Sequence, residues 1–432
     1  GFAVDWPIRY KDIAPWYSHV EKFVGIAGNK DGLDVLPDGE FLPAWDLNCI
    51  HKHFQGSIKS TYKDRHVIFA RCAHLSQPQE IHLKQGRGQC LRRTECERGC
   101  PVGGYFSANS STIPWAQKTG KLSLRPHSVV ESVLYDENSG KASGVRVIDA
   151  LTKEVTEYAA NLIFVNAGAI NTIGILLNSR SDRFPDGLGN DNGLLGKYVA
   201  FHNYRAKINA VCEDYMDKAT KGRIPSSGYM PRFRNVYRQD TDFLRGYAAG
   251  FGASRRKRAA DADGLGMKLR DSILSSKPKY DGPWRVNSHM MGATIPKESN
   301  YVRLDDQQLD EWGMPLIRIS MDYDENDEKM IQDFFEQFTE MYEKAGFTEI
   351  ETQDTKQAAG LDIHEMGGVR MGLDPKTSLL NKWNQLHSCP NVFVTDGACM
   401  TSTSTQNPSL TYMAIAARAV NFAAESLKKK NI

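Results

Sequence analysis

The period of apolar and polar positions changes most sharply near the C-terminal end of the chain. A short apolar run at 392–394 stops at Asp396-Gly397, which predicts a buried strand followed by a turn. A polar loop at 401–406 leads to Asn407-Pro408 and then to a long segment with an apolar stripe. Asn is a good N-cap and Pro suits the first helical position, so we predict a helix from 408 to about 426. These elements turn backbone N–H groups and a positive helix end toward one open space, which suits an anionic ligand.

The rest of the chain alternates between helical and strand periods. Apolar positions at helical spacing predict helices at 10–24 and 324–344, and a shorter helix that ends near 177. Short alternating runs separated by hairpin-like links predict a three-stranded meander. The meander strands are 128–135, 144–150 and 154–158, a buried parallel-type strand follows at 161–165, and further strands are expected at 206–212, 288–296, 301–304 and 316–323.

Length and charge restrict the class of protein. A chain of 432 residues with 41% hydrophobic side chains is long enough for two or more domains. Lys and Arg number 54 against 52 Asp and Glu, so the charge balance gives no reason to expect nucleic acid as a partner. The basic run 255–258 is interpreted as a solvated loop, with contact to an acidic partner or a membrane surface as the alternative. It lies within a long irregular stretch at 251–283 that could be a substrate lid or a partner-binding loop. No apolar run approaches the ~18 residues that a transmembrane span needs.

Three cysteines form the most unusual cluster of the sequence. Cys90, Cys96 and Cys100 have the spacing C-x5-C-x3-C, and Pro follows the third. Three thiolates at this spacing can converge on a soft metal centre, and the ending C-x3-C-P is similar to ferredoxin runs. The alternatives are a disulfide with one thiol left over and a zinc site completed from elsewhere in the chain.

Residues between 364 and 408 form an extended signature. It reads His-x-x-Gly-Gly-x-x-Met-Gly, then a strand ending in Asp-Gly, then Asn-Pro before the last helix. The residues of the signature are His364, Gly367, Gly368, Met371, Gly372, Asp396, Gly397, Asn407 and Pro408. On these residues the chain resembles the glucose-methanol-choline (GMC) family of FAD-dependent oxidoreductases, and within it bacterial sugar dehydrogenases such as glucoside 3-dehydrogenases and gluconate-type large subunits.

The resemblance implies an α/β (α+β) fold, with an incomplete FAD-binding domain that contains the β-meander and a substrate domain of antiparallel sheet backed by helices. The implied parts are an N-terminal part at 1–80 that bridges to the substrate domain, FAD-binding segments at 81–198 and 386–432, and a substrate-binding domain at 199–385. No G-x-G-x-x-G motif follows a strand in this sequence, although FAD domains of this type use one for the pyrophosphate. We therefore expect the sequence to be a piece of a longer protein, and this piece alone to bind FAD poorly and to be inactive.

Oxidation of an alcohol by a flavin needs a base for the hydroxyl proton, and a neutral histidine suits that role. The resemblance makes His364 this base and lets Asn407 donate from its amide to the same oxygen. The alternatives are a satisfied core histidine at 364 and a simple helix cap at 407. His202, in a segment similar to the family's link into the substrate domain, is interpreted as structural. The residues implied to contact FAD are Val130, Ala167, Gly168, Asp396 and Gly397, together with Pro408 and Ser409 at the helix start.

The cysteine segment is similar to that of GMC sugar dehydrogenases that hold a [3Fe-4S] cluster. The resemblance thus implies FAD-dependent oxidation of a sugar or sugar-derivative alcohol to a carbonyl by hydride transfer to flavin N5. Electrons would leave through Cys90, Cys96 and Cys100 to an external acceptor. A small chaperone-like subunit, a cytochrome c acceptor and a periplasmic or membrane-associated location are also implied, with a cytoplasmic location as the alternative. The alternative functions are a pyranose-type oxidase that uses O2 and a non-catalytic iron-sulfur or electron-transfer scaffold.

Overall fold

Helices and sheets with both strand directions make up the fold, in agreement with the predicted α/β (α+β) class. The computed structural model describes residues 4–93, 96–218, 225, 227–257, 266, 270 and 280–432. The helices are α1 (Tyr10–Val24), α2 (Cys49–Thr61), α3 (Glu80–Lys84), α4 (Thr112–Gln117), α5 (Ala169–Asn178), α6 (Glu325–Lys344) and α7 (Ser409–Lys428), with short 3-10 turns at Cys96–Arg98 and Gly397–Cys399. The strands are β1 (Ala27–Gly28), β2 (Leu42–Pro43), β3 (Ile68–Phe69), β4 (Ser128–Asp136), β5 (Lys141–Asp149), β6 (Val155–Ala159), β7 (Ile163–Phe164), β8 (His202–Asn203), β9 (Ala206–Cys212), β10 (Gly228–Met230), β11 (Tyr247–Lys257), β12 (Tyr280–Ala293), β13 (Tyr301–Leu309), β14 (Pro315–Ser320), β15 (Thr348–Asp354), β16 (Gln385–Leu386) and β17 (Cys389–Phe393).

The largest sheet is antiparallel and lies within the predicted substrate domain, apart from its edge strand β3. Its strand order is β15-β9-β12-β11-β10-β3, and β8 also pairs with β12. The long strand β12 is paired along most of its length with β11 on one side, and its residues 284–289 are paired with β9 on the other. The predicted strand at 206–212 coincides with β9.

Helix α6 packs on this sheet through one apolar face. The buried residues of that face recur every three or four positions and have 0% exposure: Met330, Phe334, Phe338 and Met341. At its start, the Asp324 side chain accepts the N–H of Asp327 while the Asp327 side chain accepts the N–H of Asp324. This reciprocal cap fixes where the helix begins. The prediction of a helix at 324–344 that backs the sheet is confirmed.

The predicted meander is present as β4, β5 and β6. It leads into β7, which pairs in parallel with β17, and α5 follows β7. The Asn391 side chain joins the meander to β17 through two hydrogen bonds. Its amide donates to Ala142 O at 2.8 Å, and its oxygen accepts the Ala142 N–H at 2.9 Å. The meander and the parallel strand pair are therefore one connected unit.

Buried apolar side chains of the described residues form two main clusters. The first surrounds α5, β17 and α7 and includes Ile173 and Ile415. The second lies between the large sheet, α2 and α6 and includes Phe54 and Phe251. The start of the chain contributes to both clusters, because α1 packs in the first and α2 in the second. The domain boundaries at 80, 198 and 385 stay a prediction.

Two local predictions are wrong. Residues 255–257 of the basic run lie at the end of β11 and not in a loop, because β12 supplies a pairing partner; Arg258 is outside the described residues. The last helix begins at Ser409 with Pro408 in the N-cap position, so Asn407 lies one residue outside the helix and does not cap it. Pro408 itself has helical dihedral angles, with φ −80° and ψ −11°, and no side chain makes a capping hydrogen bond at this helix start. Across the described ranges, no helix is both long enough and apolar enough to cross a membrane.

Phe334→Ala should destabilise the fold by about 3–5 kcal/mol, since it removes a fully buried ring from the face of α6. The neighbouring Phe335 is only partly buried, so Phe335→Ala is the matched control and should cost clearly less. Urea unfolding followed by tryptophan fluorescence measures both variants. Equal losses of unfolding free energy would contradict the packing of α6 described above.

Candidate active site

Asp396 lies where the parallel strands β7 and β17 end. Its Oδ2 accepts the N–H of Gly168 at 3.1 Å and the hydroxyl of Thr172 at 2.5 Å. Its Oδ1 accepts the N–H of Ala398 at 3.0 Å. Burial raises the pKa of this carboxyl, while the hydrogen bonds from Thr172, Ala398 and Gly168 act in the opposite direction. One carboxylate therefore joins the end of β17 to the N-terminus of α5.

The backbone beside Asp396 faces open space. Ala167 and Gly168 are exposed, and the Ala167 N–H donates to the Thr172 hydroxyl at 2.9 Å. Gly168 has φ +83°, and a Cβ placed on it would meet nothing within 4 Å. In α/β sheets, ligands bind outside the carboxyl ends of the strands. The structure brings Ala167, Gly168 and Asp396 together at such an end.

The segment that carries His364 runs beside the 3-10 turn that follows Asp396. Three backbone hydrogen bonds of 3.0 Å join them, from Gly367 N to Gly397 O, from Val369 N to Ala398 O and from Met371 N to Cys399 O. A Cβ on Gly397 would lie 2.5 Å from the carbonyl oxygen of Glu365, so a side chain at this position would separate the two segments. The glycine of the Asp-Gly pair is thus required by close backbone approach.

His364 contacts a second histidine, His202. The two Nδ1 atoms are 3.4 Å apart, and the ring centroids are 4.9 Å apart with the ring planes at 68°. The backbone N–H of His202 donates to Oδ2 of Asp362 at 2.5 Å. His202 is fully buried, Asp362 is 9% exposed and His364 is half-buried. Among the described residues, His202 Nε2 and Asp362 Oδ1 have no hydrogen-bond partner.

Burial determines the protonation states of His202, Asp362 and His364. It lowers the pKa of His364, and it lowers the pKa of His202 to about 3, with a further contribution from the neighbouring His364. Burial also raises the pKa of Asp362 to about 6, against the hydrogen bond from the His202 N–H. At neutral pH both imidazoles are therefore neutral, and only one of the two facing Nδ1 atoms can carry a hydrogen.

Candidate ligand atoms of His202, Asp362 and His364 all lie within 4.8 Å of one another. Two imidazoles and a carboxylate can move a proton, and they are also a ligand set for a divalent cation. The sequence reasoning missed Asp362 and treated His202 as structural. The Asp-x-His spacing at 362–364 was a usable signal for the first, whereas the approach of residue 202 to residue 364 depends on tertiary structure alone.

The loop before Asn407 is connected to the same place through Thr294, the residue that follows β12. The Thr403 hydroxyl donates to Thr294 O at 3.3 Å, and the Thr294 hydroxyl contacts the backbone of Phe201, which precedes His202. Asn407 itself is exposed, Pro408 is buried, and the hydroxyl of Ser409 lies 2.8 Å from that of Tyr412. The pairing of Asn407 with His364 on one substrate stays a prediction.

Val130 lies away from Gly168 and Asp396. It is half-buried in β4 and paired with Val147. Its neighbour Glu131 accepts through its carbonyl from the side chain of Asn178, the last residue of α5, at 3.0 Å. Gly168 is at the opposite end of this helix of 10 residues, about 15 Å away. Val130 and Gly168 could therefore contact only separate parts of one elongated cofactor.

Cys90, Cys96 and Cys100 are half-buried thiols. The Cys96 sulfur lies 3.6 Å from Nε2 of His74, a residue for which the sequence gave no signal. Gln85, which precedes this segment, donates from its side chain to Phe23 O near the C-terminal end of α1 at 3.1 Å. Among the described residues, the side chains whose ligand atoms lie within 4.8 Å of one another are those of His202, Asp362 and His364, and the three thiols are not gathered in this way.

A helix that begins at the carboxyl ends of parallel strands, with one buried and one half-buried imidazole nearby, is typical of a cofactor-dependent α/β enzyme. Models of the GMC oxidoreductase family match residues 9–202 and 296–416 of this chain. The chain therefore belongs to the GMC oxidoreductase family, whose members are FAD-binding flavoproteins.

Individual relatives cover nearly the whole chain. The 2-methyl-1,2-propanediol dehydrogenase of Mycolicibacterium austroafricanum is 30% identical over 440 residues, which are 97% of this chain and 74% of that protein. The fructose dehydrogenase large subunit of Gluconobacter japonicus is 24% identical over 99% of this chain and 76% of its own length. The solved pyridoxine 4-oxidase from Mesorbium loti has a TM-score of 0.60 at 15% identity, covering 96% of this chain and 77% of that one, and so shares the fold.

Gly367→Ala should destabilise the site, because Gly367 has φ +90° and an added Cβ would lie 2.5 Å from the carbonyl oxygen of Tyr198. Gly193 also has positive φ, at +68°, but has open space around it, which makes Gly193→Ala the matched control. We expect the control to lose about 1 kcal/mol and Gly367→Ala about 3 kcal/mol, in urea unfolding. If the two variants unfold alike, the close approach of the His364 segment is wrong.

Proposed function

We propose that this chain oxidises an alcohol group of a sugar or sugar derivative to a carbonyl with FAD, and that the electrons pass to an external acceptor. The observation that carries the proposal is the half-buried His364, kept neutral by its surroundings and in contact through Nδ1 with the buried His202. Family membership supports the reaction class, and the fructose dehydrogenase large subunit supports the substrate class.

The residues at the ends of β7 and β17 fit a dinucleotide cofactor. Gly168 leaves open space in front of exposed backbone, and Asp396 fixes the turn without projecting a charge into that space. Ala167, Gly168, Asp396 and Gly397 would hold the ribityl and pyrophosphate part, Val130 the adenine end, and Pro408 and Ser409 the flavin end. When bound, FAD supplies the acceptor for the hydride that leaves the alcohol carbon.

His364 takes the hydroxyl proton in this proposal. Its Nε2 can accept a proton only if the ring hydrogen is on Nδ1, and that hydrogen then donates to Nδ1 of His202. His202 must in turn carry its own hydrogen on Nε2. After proton uptake, the imidazolium of His364 keeps its hydrogen bond to a neutral acceptor, so His202 orients the base and stabilises its charged form.

Asn407 orients the substrate oxygen. It lies outside the start of α7, so its carboxamide is not engaged as the N-cap of that helix. An amide N–H can donate to the hydroxyl oxygen while the N-terminal end of α7 offers fixed dipoles to developing negative charge. His364 and Asn407 then act on the same oxygen from two elements.

A small vicinal diol is a second candidate substrate. The relative at 30% identity is a 2-methyl-1,2-propanediol dehydrogenase, and sugars present the same grouping of an alcohol beside a second hydroxyl. Steady-state kinetics with a panel of sugars, sugar acids and short 1,2-diols distinguishes the two classes through kcat/KM.

The cysteine segment is the electron exit in this proposal. Cys90, Cys96 and Cys100 would hold a [3Fe-4S] cluster that passes electrons to a cytochrome c, with a small chaperone-like subunit and a periplasmic or membrane-associated location. Similarity to a protein named as a large subunit supports the partner subunit of this arrangement. Visible absorption of the holoenzyme separates flavin and iron-sulfur bands, and peroxide formation under O2 would favour an oxidase instead.

His364→Gln in the flavin-loaded holoenzyme should lower kcat/KM by about 100- to 10,000-fold, as loss of a general base does. The exposed His66 provides the control variant, His66→Gln, which should leave the rate unchanged. Flavin content measured by absorbance shows whether cofactor binding is retained. A folded, flavin-loaded His364→Gln enzyme with full activity would overturn the proposed base.

The pH profile of kcat/KM should show an acid limb below ~6.5, the ordinary value for histidine. The base works only when neutral, and burial lowers the pKa of His364, so the neutral form persists to lower pH than in a solvated histidine. An acid limb with a midpoint above 7 would contradict this environment for the base.

A further inference from the structure

The side chains of His202, Asp362 and His364 offer three ligand atoms to one small volume. One atom from each residue lies within 4.8 Å of the other two. Two imidazole nitrogens and a carboxylate oxygen, with a fourth position left to solvent or substrate, are a ligand set that proteins use to bind Zn²⁺. Imidazole nitrogen also selects transition-metal cations over Mg²⁺ and Ca²⁺, which prefer oxygen ligands.

The distance between the two imidazoles fits a shared cation. Their Nδ1 atoms are 3.4 Å apart. This is longer than the roughly 2.7–3.2 Å that is usual for a hydrogen bond from an N–H donor. Two nitrogens that each bind one Zn²⁺ at about 2.0–2.1 Å, at the tetrahedral angle, lie about 3.3–3.4 Å from each other. The ring planes are inclined by 68°, so the rings are not stacked and both can direct in-plane lone pairs toward one ion.

Asp362 has one oxygen engaged and one without a partner. Its Oδ2 accepts the backbone N–H of His202 at 2.5 Å, whereas its Oδ1 is buried and has no hydrogen-bond partner among the described residues. Asp362 is only 9% exposed. A buried carboxylate oxygen without a partner is unfavourable, and a bound cation would compensate it.

The backbone holds the two histidines at this spacing. The N–H of Ala200 donates to Met366 O at 2.7 Å, and the N–H of Met366 donates to Ala200 O at 2.8 Å. These bonds lie two residues from His202 and from His364, so the ligands are preorganised. His364 is half-buried and the preceding Ile363 is 84% exposed, so the segment that carries one ligand lies at the protein surface.

We propose that His202, Asp362 and His364 bind a divalent transition-metal cation of the Zn²⁺ type, and that the bound cation reversibly inhibits oxidation of the alcohol. The inhibition rests on the proposed function, in which His364 accepts the hydroxyl proton at Nε2. The ligand set itself rests only on the geometry of the three side chains.

Metal binding and base catalysis require opposite tautomers of His364. The base carries its hydrogen on Nδ1 and accepts at Nε2, whereas a cation on Nδ1 requires that hydrogen to be on Nε2. His202 needs no change, because its Nδ1 is already the acceptor of the contact and its hydrogen is on Nε2 in both states. The hydrogen of His364 moves between its ring nitrogens through solvent, so the ring gains and loses no net proton. His364 with a cation on Nδ1 therefore has no lone pair for the substrate hydroxyl.

Titration of the flavin-loaded holoenzyme with Zn²⁺ in a calorimeter measures binding, and kcat/KM over the same Zn²⁺ range measures inhibition. The two midpoints should coincide, and EDTA should restore the rate. Mg²⁺ at the same concentrations should neither bind at this site nor inhibit, because two of the three ligands are imidazoles.

Asp362→Asn removes the charge of one ligand and keeps an oxygen for the His202 N–H. Loss of an outer-shell partner already lowers metal affinity about 10- to 100-fold, so this loss of a direct ligand should weaken Zn²⁺ binding at least about 100-fold. The inhibition midpoint, measured against the rate of the same variant in EDTA, should move by the same factor. His387 is half-buried like His364 but lies outside the group, so His387→Gln is the matched control and should change neither midpoint.

A wild-type holoenzyme that binds no Zn²⁺ would overturn the site, and so would equal Zn²⁺ affinity in the wild type, Asp362→Asn and His202→Leu. His202→Leu is the second variant if Asp362→Asn does not accumulate, and Zn²⁺ held by thiols would persist in both variants. Binding that is lost in the variants but leaves kcat/KM unchanged would overturn the inhibition together with His364 as the base. An inactive His364→Gln enzyme beside a wild type without Zn²⁺ binding would overturn the metal site alone.

Discussion

The contact between the imidazoles of His364 and His202 is the interaction on which the chemical account depends. Two neutral rings that meet Nδ1 to Nδ1 share one hydrogen, so the tautomer of one determines that of the other. His202 belongs to β8, which pairs with β12 of the large sheet, and its N–H is bound to Asp362. His364 is positioned from the other side, by the backbone bonds that join its segment to the turn after Asp396. The candidate base therefore lies where the two hydrophobic clusters meet.

Close backbone contacts maintain this junction. The N–H of Ala200 donates to Met366 O at 2.7 Å, and the N–H of Met366 donates back to Ala200 O at 2.8 Å. At the ends of the parallel strands β7 and β17, the buried oxygens of Asp396 join β17 to α5. A side chain at Gly367 or Gly397 would enter these contacts, so the glycines of the signature are explained by packing as well as by cofactor approach. The same residues that shape the fold also place the base beside the open strand ends.

The sequence predicted most elements because their patterns are local. Helix α6 has an apolar face and a capping box within its own residues, and the meander has alternating strands with short links. The end of β11 was assigned to a loop because a basic run does not reveal that β12 pairs with it. His202 was interpreted as structural and His74 was not singled out, because their contacts are with residues 162 and 22 positions away in the chain. For His364 and Asp396 the motif identified the positions, and the structure added their contacts.

The protonation of His364 can be observed directly by 15N NMR of the holoenzyme labelled at histidine nitrogens. The account predicts that at pH 7 His364 is neutral with its hydrogen on Nδ1, and that the shift of this nitrogen changes when His202 is replaced by leucine. An imidazolium at pH 7, or a neutral ring with its hydrogen on Nε2, would contradict the assignment of His364 as the group that receives the hydroxyl proton.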